Sequence, residues 1–356
     1  MGLLSSANTN LGRAKYSAAQ AIRSAWYGGH YLMARTRSAG FTRPGEAPFK
    51  PQHEAPQRGA IRKAFLKLFV DDMRNIEEGL YPPPKDVTLK DLRDAVRHSR
   101  AFFRDLGLVD ERRVNRNGTE VRDNPAADPE KYPPYYRQNF HYQSDGWLSD
   151  DSADIYDTQV ETLFGGAADA MRRAGLAEIA RELKGKDQRK LKFLDIGAGT
   201  GRFLAQVMRA YPRLPAKALE LSPFYAEAAR NALSEWRHVE VIEGQAEKMP
   251  VADASQDIVV SVYLFHELPR KVRLEVFREI RRVLKPGGLF VFTDSLQFGD
   301  NPELDAMLEY FPEGFHEPYY KEYLSCDLDA ALERMGFEQE NKNTAFLTKA
   351  VSWRKM

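Results

Sequence analysis

The sequence predicts an α/β fold: a seven-stranded, mostly parallel sheet with an antiparallel edge pair, preceded by a helical N-terminal region. Three observations carry this prediction. From residue 191 onward, apolar runs at 191–196, 216–221, 238–243, 256–263 and 288–294 alternate with amphipathic stretches at 201–211, 223–235 and 269–284. Such alternation calls for a parallel sheet covered by helices on both faces. The end of the chain breaks the alternation, with a helix near 327–335 and two β-like runs, 337–341 and 345–353, whose short link suits antiparallel pairing. The first part of the chain, up to about residue 140, reads instead as helices joined by proline-rich loops.

Each N-terminal element has its own signal. Residues 17–37 predict one helix, broken near Gly28 and Gly29. Residues 41–58 hold Pro44, Pro48, Pro51 and Pro56 and predict an exposed linker. Ile61, Phe65, Phe69, Met73, Ile76 and Leu80 recur at spacings of three and four, one face of a helix, which Gly79 and Pro82 to Pro84 stop. A further helix is expected from Thr88, with Asp91 completing an approximate capping box and Gly107 ending it. Residues 110–131, polar and rich in turn dipeptides, predict a loop. The segment 132–149 gathers Tyr132, Tyr135, Tyr136, Phe140, Tyr142 and Trp147 around His141 and Arg137, and helices are expected at 151–173 and 175–184.

Composition narrows the class. The chain has 356 residues, 43% hydrophobic and 29% charged, as in globular rather than disordered proteins. A net charge of +1 provides no whole-chain field for nucleic acid, and none is expected as a partner. Residues 1–45 nevertheless carry Arg13, Lys15, Arg23, Arg35, Arg37 and Arg43 with no acid. The favoured reading is a helical arm on the protein's own acidic surface; peripheral contact with an anionic membrane is the alternative. The MGLLSS start fits the loose myristoylation pattern, and the acid-free segment resembles a transit peptide. The single cysteine, Cys326, excludes an intrachain disulfide and a thiolate cluster, and no metal ligand set is expected. With no apolar run of about 18 residues and no secretory signal, a cytoplasmic chain is expected.

The chemistry begins at LKFLDIGAGTGRFL, residues 191–204. An apolar strand ends in Asp195, and Gly197, Gly199 and Gly201 turn sharply into a helix whose N-terminus presents free N–H groups. A dinucleotide fingerprint would place its third glycine at 202, which is Arg202. The preceding carboxylate would repel a pyrophosphate but suits an ammonium group. The next strand ends in Glu220, 19 residues past Gly201, where a carboxylate can accept both ribose hydroxyls. GQAEKMP, residues 244–250, follows the third strand; DIVVSVYLFHELP, 257–269, runs a buried strand into Tyr263, His266 and Glu267; LKPGGLFVFTDS, 284–295, ends in a strand closing at Asp294.

In this order, the five motifs resemble the class I S-adenosylmethionine-dependent methyltransferases, especially the type 11 and ubiquinone/menaquinone branch, over roughly residues 190–295. The resemblance implies a Rossmann-like domain at 146–356 that binds S-adenosyl-L-methionine, with residues 1–145 forming an arm, a linker and substrate-covering helices. It implies that Asp195, Gly197, Gly199 and Gly201 hold the methionine part and that Glu220, beside Leu221, holds the ribose. Gln245 and Ala246 fall where the adenine binds, and Tyr263 and Leu264 at the methyl-transfer site. Many relatives carry an Asp beside the adenine amino group; here Gln245-Ala246-Glu247 stands in that loop, leaving Gln245 and Glu247 as alternatives.

The sulfonium methyl is already activated, so such an enzyme mainly aligns a nucleophile behind it, and a base assists a hydroxyl, thiol or acidic carbon. His266 is the first candidate base, Glu267 the second and His141 the third, with a structural role competing for His266. Tyr156 and Asp157 are placed to close over the cofactor. The aromatic cluster at 132–147 and a second one, including Phe311, Phe315, Tyr319, Tyr320 and Tyr323, suggest a small apolar or aromatic acceptor. A macromolecule-modifying methyltransferase and a non-catalytic cofactor-binding protein are the competing functions. The Asn-Pro-Pro-Tyr-type motif of amino-methylating enzymes is absent after the fourth strand.

Overall fold

A computed structural model describes residues 10–38, 45–85 and 89–356. The predicted Thr88 cap and the MGLLSS start lie outside the described residues. Three long helices open the chain: α1 (Asn10–Arg37), α2 (Arg58–Glu77) and α3 (Leu89–Asn115). An irregular segment leads to α4 (Asp150–Leu163) and α5 (Ala168–Leu183). The alternating region follows as β1 (Phe193–Ile196), α6 (Arg202–Ala210), β2 (Ala216–Glu220), α7 (Pro223–Ala232), β3 (Val239–Glu243), β4 (Gln256–Val262), α8 (Arg270–Val283) and β5 (Leu284–Ser295). Then come α9 (Asp305–Gly314), α10 (Tyr320–Ser325), α11 (Leu328–Arg334), β6 (Phe337–Ala345) and β7 (Thr348–Lys355).

The seven strands form one sheet in the order β3-β2-β1-β4-β5-β7-β6. β1 to β5 pair in parallel, whereas β7 runs antiparallel to both β5 and β6. Strand order reverses between β1 and β4, so a crevice opens at their C-terminal ends, where ligands bind in such sheets. The central strands read as unbroken apolar runs because helices cover both faces; Phe193, Leu194 and Ile196 of β1 are fully buried. On α8 the stripe Val276, Phe277, Ile280 and Val283 is likewise buried against the sheet.

The N-terminal helices share this core. Tyr16 of α1 and Ile76 of α2 pack in the same cluster as Phe193 and Leu204. Asp72 of α2 is a buried hub: it accepts hydrogen bonds from Tyr16 Oη (2.5 Å), Tyr81 Oη (2.8 Å) and Arg173 Nη2 of α5 (2.5 Å). The basic arm also lies on acidic residues of its own chain, with Arg13 paired to Glu77 and Arg23 to Glu161 and Asp169. Among the described residues no helix is long and apolar enough to cross a membrane.

Several boundaries differ from the sequence reading. α1 runs unbroken through Gly28 and Gly29. Each glycine costs a helix about 1 kcal/mol, but contacts on both sides hold it: Arg23 bonds Gly166 O, and His30 bonds Ser99 Oγ of α3. α3 passes Gly107 and ends at Asn115, where Arg112 is clamped by Glu120 from the following turn. The α4–α5 break falls at Gly165 and Gly166, both with positive φ, rather than at residue 174; a Cβ on Gly166 would lie 2.9 Å from Arg23 O. β5 starts before Pro286 rather than at 288, and residues 305–325 contain two helices absent from the sequence reading.

Candidate active site

The glycine turn after β1 is held from two sides. Gly197, Gly199 and Gly201 all have positive φ. A Cβ on Gly201 would press on Ala229 of α7 at 3.2 Å, whereas Gly199 has open space before it. Glu220, at the tip of β2, reaches across: one carboxylate oxygen accepts from Gly199 N (2.8 Å), the other from Leu221 N and Ser222 N (both 2.9 Å). Burial pushes the Glu220 pKa up, opposed by these three backbone donors. Behind the turn, Asp195 is buried and its Oδ2 has no hydrogen-bond partner among the described residues. Burial and the neighbouring Glu220 charge raise its pKa well above the usual carboxylate range.

Arg202 explains the departure from the dinucleotide pattern. Its guanidinium clasps Asp169 with two bonds, 2.7 and 2.8 Å, within a cluster that includes Arg23, Arg172, Asp157 and Glu161. Asp157 in turn accepts from Thr200 Oγ1 of the turn itself (2.9 Å). Thus α4 and α5 grip the loop from outside.

A cavity opens before this loop, lined by Gly197, Gly199, Glu220, Leu221, Ala246 and Tyr263 among others. Asp195 and Gly201 stand behind it rather than on its wall, and so does Gln245; Glu247 reaches the wall instead. Glu247 Oε1 accepts from Tyr135 Oη at 2.6 Å, which ties the aromatic segment to the strand-three loop. Phe140, Trp147, Tyr156 and Tyr225 complete the wall, with Phe140 stacked on Trp147.

A second cavity adjoins it and shares Tyr156, Tyr263 and Glu267. Its walls are largely apolar, from Val160, Leu163, Met307, Phe311 and Leu347, and they include His141, His266 and Tyr320. His266 follows β4 in a tight turn, with Nδ1 2.5 Å from Asp294 Oδ1; the other Asp294 oxygen accepts from Phe265 N (2.8 Å). Burial opposes a charge on His266, but Asp294 outweighs it and lifts the pKa to about 9. Glu267 Oε1 lies 3.7 Å from His266 Nε2 and 3.6 Å from His141 Nε2. Burial and the Glu317 charge raise Glu267 to about 7. Burial opposes a charge on His141 too, yet Glu317, 2.7 Å away, and Glu267 lift it to about 10.

The three predicted base candidates therefore meet at one cavity. Two neighbours were missing from the sequence reading in these roles. Asp294 was legible in part: β4 and β5 pair with Val262 opposite Thr293, so Asp294 had to fall beside the turn carrying His266. Glu317 carries no local signal, since it sits in an irregular stretch between α9 and α10.

Comparison with known proteins agrees with this geometry. A family profile described as a methyltransferase domain matches residues 194–292. The chain is 32% identical over 183 residues to a malonyl-[acyl-carrier protein] O-methyltransferase of Geobacter sulfurreducens, covering 48% of this chain and 67% of that one. It is 33% identical over 144 residues to a demethylmenaquinone methyltransferase of Chlorobaculum tepidum, covering 40% and 55%. The first curated relatives are spanned over about a third to two thirds of their length. Among solved structures, a SAM-dependent methyltransferase from Aquifex aeolicus aligns with TM-score 0.39 and 19% identity, over 52% of this chain and 93% of that one. The glycine turn, the paired acids, the family profile and the curated relatives lead to one conclusion: the chain belongs to the class I S-adenosylmethionine-dependent methyltransferases of the type 11 branch, and S-adenosyl-L-methionine is its cofactor.

Proposed function

We propose that the enzyme methylates a small, apolar or aromatic molecule at an atom that must lose a proton. The observation that carries this reading is the second cavity: apolar walls, a buried His266–Asp294 pair, and a shared boundary with the cofactor cavity. An apolar lining with a few convergent polar groups is how small ligands are bound.

The described residues fit the cofactor. Buried behind the glycine turn, the orphaned Asp195 carboxyl would ionise as an ammonium group settles on the turn and attract it by charge, and the open face of Gly199 lets a ligand lie against the backbone. Glu220 would receive the ribose hydroxyls beside Leu221, with Ala246 and Glu247, rather than Gln245, on the adenine side. When bound, S-adenosylmethionine supplies an electrophilic methyl group at its sulfonium. Tyr156 and Tyr263, at the boundary of the two cavities, would align the acceptor behind that methyl. His266, oriented through Nδ1 by Asp294, would take the acceptor's proton at Nε2 in its neutral form, so turnover should rise with pH up to about 9. In the same reading residues 1–145 cover the domain at 146–356, the aromatic segment forming the cover.

The test is a screen of cell extract with S-adenosylmethionine labelled in the methyl group. Label is expected in organic-extractable small molecules; label confined to protein or nucleic acid would overturn the reading.

α1 also supports peripheral contact with an anionic membrane. Leu11, Ile22, Trp26 and Met33 are exposed at spacings that share one helix face with Lys15. Co-sedimentation with anionic vesicles should fall when the exposed Leu11 and Ile22 are both changed to Glu; recovery equal to that of the unaltered chain would remove this contact.

A further inference from the structure

We propose that His141, Glu267 and Glu317 form a site for one divalent first-row metal ion beside the acceptor cavity. The three come from separate segments: the irregular stretch before α4, the turn after β4, and the stretch between α9 and α10. One donor atom from each lies within 4.8 Å of the others. Ions of this class hold imidazole nitrogen and carboxylate oxygen at about 2.0–2.2 Å, so a small inward movement would close the set.

The second observation concerns what these atoms lack. The Glu317 side chain is fully buried, and neither of its oxygens has a hydrogen-bond partner among the described residues. The same holds for Glu267 Oε2 and His141 Nε2. Glu317 Oε1 stands 2.7 Å from His141 Nε2 without meeting hydrogen-bond geometry. Two buried carboxylates side by side repel each other, and burying a polar group without a partner is costly. A divalent cation among them would cancel the carboxylate charge and give each of the three side chains a partner.

The surroundings are built to hold the donors in place. His141 and Tyr142 both have positive φ, an uncommon conformation for such residues. His141 N donates to His316 O, which couples the backbones that carry His141 and Glu317. The rings of Trp147, Phe311 and Phe315 stand edge-on around the imidazole at 6.0–6.3 Å. One imidazole and two carboxylates suit Mn²⁺, Fe²⁺ or Zn²⁺. His141 and Glu267 both line the acceptor cavity. The ion would thus bind an acceptor oxygen and ease its deprotonation, a clause that rests on the proposed function. His141 and Glu267 then hold the metal, and His266 remains as the base. This revises the expectation that the chain carries no metal ligand set. The competing arrangement is an ion triad, in which His141 keeps its proton between the two glutamates.

The experiment uses the full chain, stripped with EDTA, desalted and titrated with Mn²⁺ while free Mn²⁺ is followed by electron paramagnetic resonance. One Mn²⁺ per chain is expected, displaced by Zn²⁺, with binding weakened at least tenfold in Glu317→Gln and in His141→Gln. S-adenosylhomocysteine binding, measured by calorimetry on the same samples, should stay within about twofold, which shows that the variants are folded. Retention of neither Mn²⁺ nor Zn²⁺ by the wild-type chain at about 100 μM metal, or retention unchanged in both variants, overturns the site in favour of the ion triad. That outcome with S-adenosylhomocysteine binding intact leaves the proposed function standing, so the two can fail separately.

Discussion

The two cavities are built on opposite principles. The proposed cofactor cradle rests on backbone: a glycine turn, three N–H groups gathered by Glu220, and a crevice that any parallel sheet with reversed strand order provides. Its parts fall within one run of alternating strands and helices. The acceptor cavity is made of side chains delivered by distant elements, from His141 through Tyr156, His266 and Phe311 to Leu347. The first arrangement can recur wherever the cofactor is used. The second can change with every residue on its walls, because no backbone pattern depends on them.

The ionic cluster that grips the glycine turn from outside offers the largest test. Asp169 receives Arg23 and Arg202 and lies 3.4 Å from Arg172. Asp169→Asn should lower stability by about 3 kcal/mol, because it takes a charged partner from the half-buried Arg23 and Arg202. Denaturant titration reads this, and S-adenosylhomocysteine binding should weaken with it. Burial alone would raise the Asp169 pKa, but Arg202 and Arg23 overcome it and hold the group well below the usual carboxylate range. Its contribution is therefore complete above the unfolded carboxylate value of about 4 and is lost as pH falls below it. The mutant should show a flatter stability profile over that acid range; a parallel profile would mean that the cluster contributes little.

The next effect separates the cavities. His266→Ala should lower turnover by ~10²-fold or more on an identified acceptor, about 2.7 kcal/mol, and leave S-adenosylhomocysteine affinity unchanged. An unaltered rate would move proton removal to another residue. The converse pair, Asp195→Ala and Glu220→Ala, should each weaken cofactor binding at least tenfold, about 1.4 kcal/mol, by calorimetry. Wild-type affinity in both would break the cradle assignment. The smallest effect is expected at the boundary. Tyr263→Phe removes a 2.7 Å hydrogen bond to Thr348 Oγ1, which is buried. It should cost about 1 kcal/mol of stability with little change in cofactor affinity. A large fall in affinity would mean that the hydroxyl serves the ligand rather than the fold.

These contrasts follow how each region could be read. The strands, their parallel pairing and the antiparallel edge were legible from hydrophobic period, and the glycine turn from residue type. Gln245 and Glu247, two residues apart in one loop, could not be ranked, because only Tyr135, from a segment more than a hundred residues away, draws Glu247 to the cavity wall. Gly28 and Gly29 looked like a break because helix propensity was weighed without the contacts of Arg23 and His30 that override it. Glu317 lay in a stretch with neither period nor motif.

By itself the sequence determined the sheet, the order of its elements along the chain and the glycine bend after β1, since these depend on backbone conformation and on side chains close in the chain. The tertiary structure alone decided the acceptor cavity: which acids stand beside His141 and His266, and which buried atoms lack partners. Those facts arise where side chains from several elements meet, and burial there sets charge and hydrogen bonding that no local pattern encodes.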